Sequence, residues 1–182
     1  MDITNLLIKK YNGRAQEIGK FNVSSIWGIL NGYTGVEEYL NGKENDFNSC
    51  KMMWSGTMKH TAIQELFEDT DYEIEKRVEY RPDYEWYIVG KADLINKDHI
   101  IEIKTSDKLL EKAKSWHELQ VKFYCTMFER PEALIVQPVV SDKLVLKEIG
   151  RVKRNDKWVL NQLEKLNNFY EQLKQSQEKQ NS

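Results

Sequence analysis

Residues 72–104 alternate apolar and polar side chains in three runs separated by turn-forming residues. Tyr72 to Tyr80 is the first run, Tyr84 to Ile95 the second and His99 to Lys104 the third. Pro82-Asp83 breaks the first from the second, and Asn96-Lys97-Asp98 breaks the second from the third. A period of two with bounding turn residues predicts three strands, the last two forming a hairpin. The segments on either side have helical spacing, so a sheet covered by helices is the expected outcome.

Before this block, residues 22–50 read as helical, with Ser24 or Ser25 as N-cap before Ile26, Trp27, Ile29 and Leu30. Asn31-Gly32 stops that helix, Gly35 to Leu40 begins another, and Ile63, Leu66 and Phe67 mark one over about Lys59 to Glu68. After the block, residues 111–128 are expected as a helix with Leu110, Ala113, Leu119, Phe123 and Met127 turned inward. Two strands follow, Ala133 to Val140 and Leu144 to Val152, turned at Ser141-Asp142-Lys143. A last helix from about Asp156 to Leu173 carries the stripe Trp158, Val159, Leu163, Leu166, Tyr170 and Leu173. That stripe reads as core cover, with a subunit interface as the other use. The fold class is α/β with a mixed central sheet. No repeat or linker divides the chain, so residues 1–182 are expected to form one domain, with a polar, frayed tail from Gln175 to Ser182.

Composition excludes several classes. With 40% apolar and 31% charged residues, the chain is globular rather than disordered. Lys plus Arg number 27 against 29 for Asp plus Glu, which argues against a polybasic binder but leaves room for a local basic groove. Two cysteines, Cys50 and Cys125, are too few for a disulfide framework or a four-cysteine metal cluster and suit an intracellular protein. Met1 to Leu7 lacks the pattern of a secretory signal, and no run approaches a membrane span, so the cytoplasm is the expected compartment. Dinucleotide and P-loop glycine motifs, the G-x-S-x-G nucleophile elbow and H-E-x-x-H are all absent.

The chemistry concentrates on the third run. In Ile100-Ile101-Glu102-Ile103-Lys104, Glu102 and Lys104 share one face of the strand. Such alternation also describes an ordinary half-exposed strand. If the hairpin turns symmetrically about Lys97 and Asp98, Ile95 faces Ile100 and Asp93 faces Glu102. Cross-strand neighbours lie about 4.5–5.5 Å apart at Cβ. Two carboxylates so close repel unless one is protonated or a cation lies between them, and a hard divalent cation takes carboxylate oxygens. On the following helix Gln120 and Tyr124 share a face, with His117 beside them; on the earlier one His60 and Gln64 do. Lys108, Lys112, Lys114 and Lys122 continue from Lys104 toward that helix as candidate phosphate contacts, interleaved with Glu111 and Glu118. Tyr33, Trp54 and Trp116 are candidate stacking platforms, although tryptophan is more often core.

Taken in order, Gly56-x-x-x-His60, Gly90-x-x-Asp93, Glu102-Ile103-Lys104 and Gln120-x-x-x-Tyr124 resemble the motifs of the PD-(D/E)XK nuclease superfamily. The likeness, over about residues 50–130, is to its RecB-like branch, which includes CRISPR-associated RecB-type exonucleases, the RecB nuclease domain and phage exonucleases of the lambda type. The resemblance implies a restriction-endonuclease-like core and hydrolysis of DNA phosphodiester bonds with magnesium or manganese. It implies metal ligation by His60, Asp93, Glu102 and the Ile103 carbonyl. Lys104 would activate the attacking water, and Gln120 and Tyr124 would position the site. Asp83, in a literal Pro82-Asp83, is a rival for Asp93. The branch's CRISPR-associated members commonly hold an iron–sulfur cluster on four cysteines. With two cysteines, this chain is expected to be a cluster-free relative, as a virus or mobile element would encode, acting on DNA in the host cytoplasm, alone or as a homo-oligomer. An exonuclease is the first expectation. A restriction-type endonuclease and a non-catalytic binding module on the same fold are the others.

Overall fold

The computed structural model describes residues 3–13, 15–106 and 108–181, with side chains through Lys179. Met1, Asp2 and Ser182, at the two ends considered above, lie outside the described residues. The elements are α1 (Thr4–Tyr11), β1 (Lys20–Asn22), α2 (Val23–Leu30), α3 (Val36–Asn41), α4 (Phe47–Glu65), β2 (Glu73–Tyr80), β3 (Tyr87–Ile95), β4 (His99–Ile103), α5 (Ser115–Met127), β5 (Glu132–Val140), β6 (Leu144–Lys153) and α6 (Asp156–Asn181).

Six strands form one mixed sheet in the order β1-β3-β4-β5-β6, with β2 also paired to β3. The β1–β3 and β4–β5 pairs are parallel; β2–β3, β3–β4 and β5–β6 are antiparallel. Helices flank the sheet, as expected for this α/β class. The main core joins Ile88, Ile100 and Ile135 of the sheet to Ile26 of α2, Val121 and Phe123 of α5, and Leu166 and Leu173 of α6. A second cluster gathers Leu94, Ile101, Ile103 and Val136 against Ile63 of α4. Neighbouring residues of a strand point to opposite faces. Ile100 and Ile101 accordingly belong to different clusters, and the sheet is buried on both sides. In α6, Val159, Leu163, Leu166, Tyr170 and Leu173 are all buried, so the stripe expected to cover the core does so.

The structure differs from the sequence expectation in several places. α2 starts at Val23, with Asn22 rather than Ser24 or Ser25 in the N-cap position. α4 starts at Phe47 instead of Lys59, where the Asp46 carboxylate accepts the Ser49 N–H at 2.7 Å. Its apolar residues conceal the start, because Phe47, Met52, Met53, Trp54 and Met58 are exposed and mark no buried stripe. α5 begins at Ser115 rather than 111, because the segment before it runs along β6, where the Ala113 N–H donates to the Ile149 carbonyl at 2.6 Å. α6 continues to Asn181, so residues 175–181 are helical rather than frayed. Its Gln, Glu and Lys residues are good helix formers. The N-terminal part, residues 1–50, is expected to be helical; α1 falls within it, whereas the short strand β1 departs from it.

Candidate active site

The β3–β4 hairpin has the expected register, Ile95 opposite Ile100 and Leu94 opposite Ile101. Regular pairing stops there, one step short of Asp93 and Glu102. In place of a ladder bond, the Asp93 Oδ2 accepts the Ile103 N–H at 2.7 Å. The two strands therefore part where the carboxylates stand. The alternation also slips here: Ile88 and Ala92 of β3 belong to the main core, while Leu94 belongs to the α4 cluster.

α4 supplies the next group. Gly56 lies so close to the loop after β4 that a Cβ would sit 3.2 Å from Thr105 Oγ1, which itself donates to the Gly56 carbonyl at 3.3 Å. One turn on, His60 Nε2 lies 2.8 Å from Asp93 Oδ2. Gln64, a further turn along and buried, donates to the Asp93 carbonyl at 3.3 Å. α5 supplies the other side. Lys104 Nζ donates to Glu102 Oε1 at 2.8 Å and to Gln120 Oε1 at 2.8 Å, and Gln120 Nε2 donates to the Tyr124 hydroxyl at 3.1 Å. Each amide atom of Gln120 is thus committed, which fixes Lys104 between a carboxylate and a carboxamide.

Tyr124 reaches this position because residue 90 is glycine. A Cβ there would lie 2.7 Å from Tyr124 Cε1 and 3.1 Å from Val23 Cγ2. Overpacking of this kind costs about 1–3 kcal/mol. Gly90→Ala is predicted to lower stability by that amount and to break the Gln120–Tyr124 bond. Thermal unfolding together with a crystal structure of the variant checks this; a variant with unchanged melting temperature and an undisplaced Tyr124 ring would refute it.

Asp93 is 7% exposed and Glu102 3%. Burial, with the Asp93 charge adding to it, pushes the Glu102 carboxyl up to about 7 in spite of Lys104. Burial lowers the His60 pKa, but its hydrogen bond and charge attraction to Asp93, with Glu102 and Glu75 behind them, raise it overall. The Tyr124 phenol is raised by burial and then by Glu102, so it stays protonated. His117 is pushed down to about 4 by burial, Lys104 and Lys114, and is neutral at physiological pH.

As they stand, no three His, Cys, Asp or Glu side chains among the described residues converge into a metal cluster. Glu102 Oε2, however, is buried with no hydrogen-bond partner. An orphaned carboxylate oxygen beside a second carboxylate is a donor set that a hard divalent cation fits.

The structure thus brings His60, Asp93, Glu102, Lys104, Gln120 and Tyr124 into one connected group. Ile103 joins it through its amide. Asp83 stands apart in the β2–β3 turn, exposed, where its carboxylate accepts the Glu85 N–H at 3.0 Å. The lysines do not share one surface. Lys108 lines a cavity with Gly56, Thr105 and Ser106 beside the site, Lys114 lies over the Trp116 ring, and Lys122 lies over Trp158. Lys122 follows Gln120 by two residues and so stands about 200° round the helix from it. Lys112 is exposed. Cys50 and Cys125 are free, buried thiols on α4 and α5.

Sequence reading missed Glu75. It stands where the β2–β3 register places a partner for Asp93, has φ +52° and binds Lys91 at 2.8 Å. A hairpin drawn symmetrically about Tyr84 would have revealed it.

No family model and no curated protein matches this chain. Solved exonucleases share its fold. The alkaline exonuclease LHK-Exo from Laribacter hongkongensis superposes with a TM-score of 0.65 over 97% of this chain and 96% of its own, at 13% identity. LHK-Exo in complex with dAMP gives 0.65 over 87% and 90%, at 16% identity. A phage-related exonuclease from Haemophilus somnus 129PT gives 0.56 over 97% and 100%, at 12% identity. At these identities the likeness is one of fold.

Proposed function

We propose that this chain is a metal-dependent deoxyribonuclease of the exonuclease type, folded as one nuclease domain over residues 1–182. The observation that carries the reading is the buried carboxylate pair at the parting of β3 and β4, one oxygen of Glu102 unpartnered and Lys104 locked beside it. The fold supports it, since three of the similar solved structures are exonucleases and one of these is a complex with dAMP.

In this reading Asp93, Glu102 and the Ile103 carbonyl hold magnesium or manganese, with His60 as a further ligand. Such an ion acidifies a water and stabilises charge on the phosphoryl group. Lys104, 18% exposed at its side chain, turns its ammonium toward the attacking water and the phosphate. Gln120 holds Lys104 in place, and Tyr124 holds Gln120. Lys108 extends the positive charge beside the site toward the DNA backbone, with Lys112 and Lys114 further along; Lys122 supports Trp158 instead. The protein is proposed to act in the cytoplasm, with self-association open to it. No described helix is long and apolar enough to cross a membrane.

The test is digestion of end-labelled linear and closed circular DNA, single- and double-stranded, with manganese, magnesium or chelator. Metal-dependent loss of linear DNA alone is expected. Cutting of circles would make the protein an endonuclease, and no digestion by folded protein would end the reading.

Metal binding has its own signature. Manganese at a hundredfold excess over its Kd is predicted to stabilise the protein by about 2.7 kcal/mol, and Glu102→Gln to abolish that gain. Because the folded protein holds a proton on Glu102 up to about pH 7, and the unfolded chain releases it at ordinary carboxylate pH, stability without metal falls as pH rises toward 7. The metal must displace that proton, so the manganese gain shrinks below pH 7. Melting curves with and without manganese at pH 5.5 and 8 check both slopes; a gain independent of pH would remove Glu102 from the ligand set.

A further inference from the structure

Three aromatic side chains from separate parts of the chain meet beside the candidate site. Tyr33, in the loop after α2, stacks parallel on Trp27 with ring centroids 4.9 Å apart and 11° between planes. Trp116, in the first turn of α5, leans on Trp27 at 5.4 Å and 59°. Lys114 Nζ lies 4.7 Å over the Trp116 ring. Tyr33 is 69% exposed and Trp116 41%, so both keep a large aromatic surface in water. Side chains recruited only for packing would bury that surface.

Trp27 and Trp116, though not Tyr33, also line a cavity of about 450 Å³, together with Ser24, Ser25 and the Glu38–Lys43 ion pair. That volume falls in the range of small-molecule pockets. Ser24 is shared with an adjoining cavity of about 400 Å³ whose wall includes Gln120 and Tyr124. The link is also helical, for Trp116, Gln120 and Tyr124 follow one another at four-residue spacing on α5 and form one stripe. The aromatic pocket therefore adjoins the group that holds Lys104.

We infer that the Trp27–Trp116 pocket, with Tyr33 stacked on Trp27, is a subsite for an unpaired nucleobase, so that the strand entering the site is single-stranded where it passes α5. The inference rests on the nuclease reading for the strand's destination. Every base has a π-face that stacks on aromatic rings whatever its identity. Inside a duplex both faces are occupied by neighbouring pairs, and a base that enters the pocket singly must leave its own partner as well as its stack. Lys114, fixed over Trp116, sets a positive charge where the strand's backbone would pass.

The experiment measures binding of a short labelled oligothymidylate, and of the same backbone with abasic residues, by fluorescence anisotropy. It is done in chelator on the Glu102→Gln protein, which prevents digestion. Adding Trp116→Ala is expected to weaken oligothymidylate binding about five- to a hundredfold and to leave the abasic strand unchanged, with Trp116→Phe retaining most of the affinity. Tyr33→Ala, at a more exposed position, is expected to weaken the same strand without unfolding the protein. Equal losses on both strands, no loss on either, or duplex bound as tightly as single strand would overturn the inference. Digestion by the wild type is scored separately. Base-dependent binding without digestion keeps the subsite and ends the nuclease reading; digestion without base dependence does the reverse.

Discussion

Lys104→Ala is expected to reduce metal-dependent DNA cleavage by about 10²–10³-fold, the usual loss when one preorganised group facing developing charge is removed. The geometry adds a second reason. Lys104 is the hydrogen-bond partner of Glu102 Oε1, and Oε2 has none. Removing the ammonium leaves a buried carboxyl with no cation bonded to it, and its pKa, already at about 7, rises further. The variant should then bind manganese only at higher pH. It should still fold, because a buried carboxyl escapes the cost of an unpaired charge by taking up a proton. Single-turnover cleavage of end-labelled linear DNA beside the wild type, with melting curves as the control for folding, measures the effect. Activity unchanged in the variant would place the reaction elsewhere.

Phe21→Ala is expected to cost about 3–5 kcal/mol, the range for truncating a buried phenylalanine. Phe21 is fully buried, though it belongs to a strand of only three residues. It sits edge-on to Trp86 at 5.5 Å and tilted against Tyr39 at 5.8 Å and Phe169 at 6.3 Å. Through these contacts β1 ties α3 and α6 to β3, where Phe21 pairs with Ile88. For a chain of this size the cost corresponds to a fall of roughly 6–20 °C in melting temperature. Val23, two residues on, forms part of the notch at Gly90 that receives Tyr124, so the variant should also lose activity below its melting point. Denaturant unfolding reads the first effect. A loss under about 1 kcal/mol would show that β1 is not docked as described.

Much of the site was legible because its logic is local. Alternation in 84–104 and the turn at Asn96-Lys97-Asp98 set a register, and a register settles which residues oppose one another. Ile95 does face Ile100, which is why Asp93 and Glu102 come together. The four-residue spacing of Gln120 and Tyr124 likewise reads directly as a shared helix face. β5 and β6 were found to within a residue at each end, since both are long and turn at Ser141-Asp142-Lys143. Where periodicity was faint, reading failed. β1 is too short to show a period, and α4 displays apolar residues to solvent around Met52 and Met58, so only its last turns carried a stripe.

The amino-acid order alone determined five of the six strands, the hairpin register and the pairing of charges along one strand or one helix face, because those depend on spacings of two to four residues. The tertiary structure decided which helix reaches which carboxylate. His60 meets Asp93 across thirty-three residues of chain where α4 packs at Gly56 against the loop after β4. It also decided that Lys122 leaves the site for Trp158, and that Tyr33, Trp27 and Trp116 share one surface. Contacts of that kind arise from two faces packing together, and packing is a property of shapes that no single stretch of sequence contains.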